Sequence, residues 1–167
     1  IDDRPEVVDA KTRVGDWEID TVIGKGHSGA LVTIVERFSK YTVSAQVNSK
    51  NAEEVAKATI TLLTPFKDVV HTITADNGKE FAYHEKISEA LSAKVYFAHP
   101  YSSWERGLNE NTNGLLRQYF PKQTDLKRIS QESVKKAVTR LNSRPRKLLD
   151  YKTPAQVMSA HVAATAA

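Results

Sequence analysis

Acidic side chains stand at three places where a reactive centre could be built. Asp20 lies within WEIDT and Asp76 within TADNGKEF. Glu105 and Glu110 stand five residues apart in HPYSSWERGLNENTNGLLRQYF, which also carries Arg106, Asn113 and Arg117. A carboxylate inside an apolar strand is costly to bury unless it is paired or liganded. Asp16, Glu18 and Asp20 share one strand face by parity, so alternation alone does not choose among them. Asp76 precedes Asn77-Gly78, a combination that also forms ordinary turns. The two glutamates separate on a helical projection. Leu108, Thr112, Leu115, Leu116 and Tyr119 make one stripe, expected to face the core, while Glu110, Asn113, Gly114 and Arg117 gather on the opposite side. Glu105 projects near the apolar stripe or precedes the helix. If carboxylates from two strands and one helix converge, they repel one another and call for cations. Hard oxygen donors suit magnesium or manganese. Two such ions about 4 Å apart can activate a water or hydroxyl and stabilise the leaving oxygen of a phosphodiester.

The elements that must carry these residues follow from periodicity and turn signals. Strands are predicted over Val14–Ile23, Ala30–Glu36 and from Tyr41 to Val47, spaced closely enough for an antiparallel meander, with KGHSG as a turn. Asn51 and Glu54 form a capping-box pattern opening a helix that runs to Pro65. A strand over Val69–Ala75 ends at Asp76. A helix near 84–92, a strand over Lys94–Ala98, a helix over roughly 104–119 and a last helix from Ser130 to Arg144-Pro145 complete the series. The order β-β-β-α-β-α-β-α-α indicates a mixed α/β sheet with helices packed on it. No nucleotide-binding glycine motif occurs. Residues 1–12 are expected to be an irregular linker and 156–167 a C-terminal tail, whose low-complexity end AHVAATAA frays.

Composition sets the outer limits. The chain has 167 residues, suited to one domain. It is 40% hydrophobic, with mean hydropathy −0.45 and no apolar run long enough to span a membrane. Zero cysteines exclude disulfides and thiolate metal sites, and the five histidines show no zinc spacing. Net charge +4 and pI ≈ 9.2 permit binding to a polyanion, and the basic residues are dense from Lys127 to Lys152. Within that run Arg144, Arg146 and Lys147 form a cluster. Lys79 and Arg106 lie beside the acidic motifs as candidate phosphate contacts. The chain opens at Ile1 and its one methionine is Met158, so it is expected to be a piece of a longer protein.

Taken together, WEIDT, TADNGKEF, PYSSWERGLNENTNGLLRQYFPK and LNSRPRKLLDYKTP resemble the catalytic core of DDE transposases and retroviral integrases. The pattern is most similar to that of the insertion-sequence-thirty family of bacterial transposases, over residues 13–155. That family places an aspartate three residues after a tryptophan, which selects Asp20 after Trp17, with Asp16 the weaker alternative. Its second aspartate precedes Asn-Gly, hence Asp76. Its glutamate lies three residues after a glycine, hence Glu110, with 33 residues between it and Asp76 and a basic residue, Arg117, seven further on. Gly107 is expected to give room beside the site.

The resemblance implies an RNase H-like fold, a five-stranded mixed sheet flanked by helices. It also implies two divalent cations, Mg or Mn, held by Asp20, Asp76 and Glu110. The implied activity is cleavage at transposon ends and transfer of the freed 3′-hydroxyl into target DNA, in the bacterial cytoplasm, by a homo-oligomer in the active complex. Arg117 and Asn113 are implied to touch DNA. A metal nuclease that cuts without joining, or an inactive DNA-binding module, is the alternative.

Overall fold

The computed structural model describes residues 1–166. Three antiparallel strands, β1 (Asp16–Ile23), β2 (Ala30–Glu36) and β3 (Thr42–Val47), form the expected meander. The short strands β4 (Thr72–Ala75) and β5 (Lys94–Phe97) add in parallel beside β1, giving the order β3-β2-β1-β4-β5. The result is the mixed five-stranded sheet that the resemblance implied. Parallel neighbours need crossovers, and helices supply them: α2 (Ala52–Leu63) leads into β4 and α3 (His84–Leu91) joins β4 to β5.

Strand parity sorts the sheet into two cores. Trp17 and Ile19 of β1 point to one face and pack with Val55, Leu63, Ile87 and Leu91 from α2 and α3. Val22 and Leu31 point to the other. They meet Leu116 of α4 (Gly107–Leu116) and Val134, Ala137 and Leu141 of α5 (Gln131–Asn142). Asp16, Glu18 and Asp20 have the parity of Val22, so they lie on the α4–α5 face. The predicted capping box at α2 is present, with Asn51 Oδ1 accepting the Glu54 N–H at 2.8 Å. Ser130 likewise caps α5 through the Ser133 N–H.

Several boundaries differ from the sequence expectation. Residues 1–12 are not irregular throughout, because a short helix α1 (Glu6–Ala10) forms and Val8 is fully buried. Arg4 is buried as well, with its Nη1 donating to Thr74 Oγ1 at 3.0 Å. The strand expected from Val69 starts at Thr72, because a 3₁₀ segment opening at Thr64-Pro65 runs through Val69. The tail is helical: α6 (Pro154–Ala166) buries Met158 in the main core, while Ala167 lies outside the described residues. No helix among the described residues is long and apolar enough to cross a membrane.

The helix expected over 104–119 is shorter. Ser103–Arg106 is a 3₁₀ turn, and α4 begins at Gly107. Arg106 provides no side-chain cap, so the first turn of α4 is capped from the sheet instead. There Glu18 Oε2 accepts the Asn109 N–H at 3.1 Å. At the far end Pro121 disfavours helical backbone at Phe120, and the chain turns away after Leu116.

Candidate active site

The parallel pairing of β1 with β4 stops at Glu18 opposite Thr74. Beyond it the two strands part, and the carboxyl ends of adjacent parallel strands open a crevice of the kind that binds ligands in α/β sheets. Asp20 stands two residues past the last pair on β1, and Asp76 immediately follows β4. Arg106 lies between them. Its Nη2 is 3.3 Å from Asp76 Oδ2, and its Nη1 is 3.6 Å from Asp20 Oδ2. One guanidinium thus serves two aspartates from different strands.

Each aspartate is oriented by its surroundings. Asp20 Oδ1 accepts the Thr21 N–H at 2.8 Å, and Oδ2 accepts Asn113 Nδ2 at 3.0 Å. Asn113 is itself fixed, because its Oδ1 accepts the Thr33 hydroxyl at 2.8 Å, and Thr33 is the register partner of Asp20 on β2. Burial pushes the Asp20 carboxyl above its ordinary range, with Asp76 adding to the rise, against the opposing pull of Arg106 and the two hydrogen bonds. Asp76 Oδ1 accepts the Gly78 N–H at 2.8 Å, closing the tight turn. A Cβ at Gly78 would lie 2.2 Å from Glu80 Oε2 and 2.8 Å from Asp76 Oδ1. Glu80 cannot simply step aside. Thr21 Oγ1 donates to it at 3.0 Å and Lys50 pairs with it at 2.7 Å.

The other two acids of that β1 face have their own arginines. Arg13 grips Asp16 with two bonds, at 2.8 and 3.0 Å, and the Thr72 hydroxyl adds a third. Glu18 Oε1 accepts Arg37 Nη1 at 2.5 Å. Burial pushes the Glu18 carboxyl up, against the pull of Arg37 and the Asn109 N–H. Asp20 alone of the three looks across the crevice toward Asp76.

Glu110 sits on the exposed side of α4, one turn from Asn113. It has no hydrogen bond or ion pair among the described residues. Nor are three His, Asp or Glu side chains gathered closely enough, among the described residues, to hold one ion. The expected convergence of three carboxylates is therefore present as a pair, Asp20 and Asp76, with Glu110 standing apart. The donor set still fits a divalent cation. Two hard carboxylates from separate strands face a place that a positive group already fills. Glu105 lies before the helix proper, where His99 Nδ1 meets its Oε1 at 2.9 Å and the His99 N–H donates to its Oε2 at 2.8 Å.

The expected DNA-contacting residues divide in two. Asn113 and Arg106 are at the aspartates. Arg117 turns its guanidinium to the carbonyl of Ile23, at 2.8 Å, tying α4 to the end of β1. Lys79 is exposed just past Asp76. Arg146 and Lys147 line a cleft with Leu108, Asn111 and Leu115, along a different face of α4 from Glu110. Arg144 reaches the Tyr119 hydroxyl at 3.4 Å. Gly107 needs no room in this form, since a Cβ there meets nothing within 4 Å. Sequence reasoning missed Thr33, whose signal was a hydroxyl in the otherwise apolar run ALVTIVE before its last residue. It also missed Asn109, which is fully buried beside Glu110.

Comparisons with known proteins show the family and the fold. Residues 12–103, more than half of the chain, match the family model described as "Integrase core domain". The chain is 52% identical over 154 residues to a transposase for insertion sequence element IS4351 of Bacteroides fragilis, covering 92% of this chain and 47% of that protein. It is 39% identical over 166 residues to transposase InsI for insertion sequence element IS30A of Escherichia coli K12, covering 99% and 43%. The chain thus spans less than half the length of these relatives. Among solved structures, the catalytic core domain of BIV integrase superposes with TM-score 0.68 at 20% identity, covering 88% of this chain and 96% of that one. A chain of the simian T-cell lymphotropic virus intasome superposes with TM-score 0.63 at 19% identity, covering 77% and 48%. At such identities the likeness is one of fold, the RNase H-like fold of integrase cores. By the match over residues 12–103, more than half of its length, the chain belongs to the integrase core domain family.

Proposed function

We propose that this chain is the catalytic core, over residues 13–155, of a DNA transposase. It would cleave phosphodiester bonds at the ends of a mobile element and join the freed 3′-hydroxyl to target DNA. The observation that carries the proposal is the pair Asp20 and Asp76. They come from the diverging ends of two parallel strands and share one cationic position, with Asn113 of α4 fixing Asp20. Two divalent cations, magnesium or manganese, would supply activation of the attacking oxygen and stabilisation of the leaving one. Asp20 and Asp76 would hold them, and Glu110 would complete the set from the exposed face of α4. Asn113 and Thr33 keep the Asp20 carboxylate aimed into the crevice. Lys79 and Arg106 would meet phosphate, while Arg144, Arg146 and Lys147 would engage the duplex further out. The transposase relatives support DNA ends and target DNA as substrates. The likeness to an intasome chain supports a homo-oligomer as the working form, and the bacterial relatives support the bacterial cytoplasm as its place of action.

A joining assay tests this. Pre-cut, labelled end DNA is incubated with plasmid, magnesium and the protein, and joined product is expected. Asp76→Asn and Glu110→Gln should each abolish it, and Glu105→Gln should spare it. Cleavage without any joined product would make the protein a nuclease of this fold. Wild-type joining by Glu110→Gln would overturn the assignment of the third carboxylate.

A further inference from the structure

Arg106 is held loosely for a residue so enclosed. Its contacts to the two aspartates, 3.3 and 3.6 Å, are longer than the 2.7–2.9 Å or so of a good charge-assisted bond. Its third contact, to the Ile19 carbonyl, is 3.4 Å. Its Nε is buried with no partner, although the side chain is 13% exposed. Three residues on, Asn109 is fully buried with neither side-chain polar atom bonded. An unpaired buried polar group is costly, and the junction between the 3₁₀ turn and α4 is under-satisfied at three atoms. Between them lies Gly107, with open space around the position of a side chain. The segment has a reason to move and room to do so.

We propose that Arg106 is a built-in counter-cation, a latch that holds Asp20 and Asp76 together in the metal-free chain and must leave before divalent cations enter. The proposal rests on the metal-site reading of the two aspartates. The same carboxylate oxygens, Asp20 Oδ2 and Asp76 Oδ2, face the guanidinium, and one oxygen pair cannot serve it and a bound cation at once. Without any cation the two carboxylates would repel each other across the crevice. Arg106 relieves that repulsion through weak contacts, so it surrenders the site readily to a doubly charged ion. Rotation at Gly107 then turns the arginine toward solvent and bound phosphate. Metal entry and α4 placement thereby become one event, which brings Glu110 into play only when cations are present.

The test is manganese binding by calorimetry, with no DNA and no turnover. Arg106→Gln removes the competitor and should bind manganese about tenfold more tightly than wild type, with a lower melting temperature before metal is added. Arg106→Lys keeps the charge and should bind close to wild type. Equal or weaker binding by Arg106→Gln overturns the latch. Asp76→Asn separates this from failure of the site itself. If Asp76→Asn leaves manganese binding intact, the two-aspartate site is wrong. If it abolishes binding while Arg106→Gln changes nothing, only the latch is wrong. Should Arg106→Gln fail to fold, the wild-type Arg106 Nε–H resonance provides the readout. It should shift and exchange faster with solvent as magnesium is titrated, and a signal that stays put overturns the proposal.

Discussion

Replacing Arg37 with methionine should destabilise the chain by an amount that grows with pH. Arg37 is 4% exposed, and its guanidinium holds Glu18, which is 1% exposed, at 2.5 Å. Its Nε also donates to the Val8 carbonyl at 3.0 Å, and Nη1 reaches the Glu105 carbonyl at 3.3 Å. Breaking a buried pair from one side costs about 3–5 kcal/mol, because the surviving charge is left uncompensated. Glu18 keeps one partner, the Asn109 N–H, so the low end, about 3 kcal/mol near neutral pH, is expected. For a chain of this size that lowers the melting temperature by about 6–12 °C.

The pH dependence identifies the cause. Burial already pushes the Glu18 carboxyl up, and Arg37 is the chief force pulling it down. Without Arg37 it rises further above its unfolded value of about 4.3. A carboxyl held high in the native state contributes stability that is fully present below the unfolded value and lost as pH rises through the native one. The deficit of Arg37→Met should therefore be smallest at or below about pH 4 and widen toward about pH 7, by at most about 1.4 kcal/mol per unit. Urea unfolding at several pH values measures it. The double variant Arg37→Met, Glu18→Met removes both charges and should show no widening. A deficit that stays flat with pH in the single variant would refute the claim that Arg37 exists to compensate Glu18.

Two further outcomes follow from the same structure. Gly114 lies inside α4, exposed, where an added Cβ meets nothing within 4 Å; Gly114→Ala should raise stability by about 1 kcal/mol, seen as a higher midpoint in urea, and an unchanged or lower midpoint would mean this turn is not helical in solution. His99 is raised above its ordinary value by the Glu105 and Asp2 carboxylates, whereas Glu105, which burial alone would push up, is held low by its bonds to His99. The histidine's contribution is full below its unfolded pKa of about 6.5 and is lost as pH rises through its native value, while that of Glu105 is full above about 4.3 and is lost as pH falls through its native value. His99→Gln should therefore lower the melting temperature most between about pH 5 and pH 6 and least at either side, and a deficit without that maximum would rule out an ion pair at the loop entering α4.

What the sequence made legible was whatever depends on local periodicity. A continuous apolar run placed β2 at Ala30–Glu36 to the residue, the Asn51–Glu54 pattern marked the start of α2, and a helical projection separated Glu110 from Glu105. Parity also put Asp16, Glu18 and Asp20 on one face, and there local reasoning stopped, because all three satisfy the same rule. Contacts from elsewhere in the chain tell them apart. Arg13, on the loop before β1, takes Asp16, and Arg37, 19 positions beyond Glu18, takes Glu18. Register places Thr33 opposite Asp20, and α4 brings Asn113 down upon it. Helix boundaries were hidden for the same reason, since the cap of α4 is a strand residue 91 positions away rather than a neighbour. Of the three acids on that face of β1, two are gripped closely by an arginine, Asp16 by Arg13 at 2.8 Å and Glu18 by Arg37 at 2.5 Å, while the third shares Arg106 with Asp76 at 3.6 and 3.3 Å. A fold that holds its structural acids in close ion pairs leaves the loosely compensated pair as the place where a further positive charge is most strongly favoured.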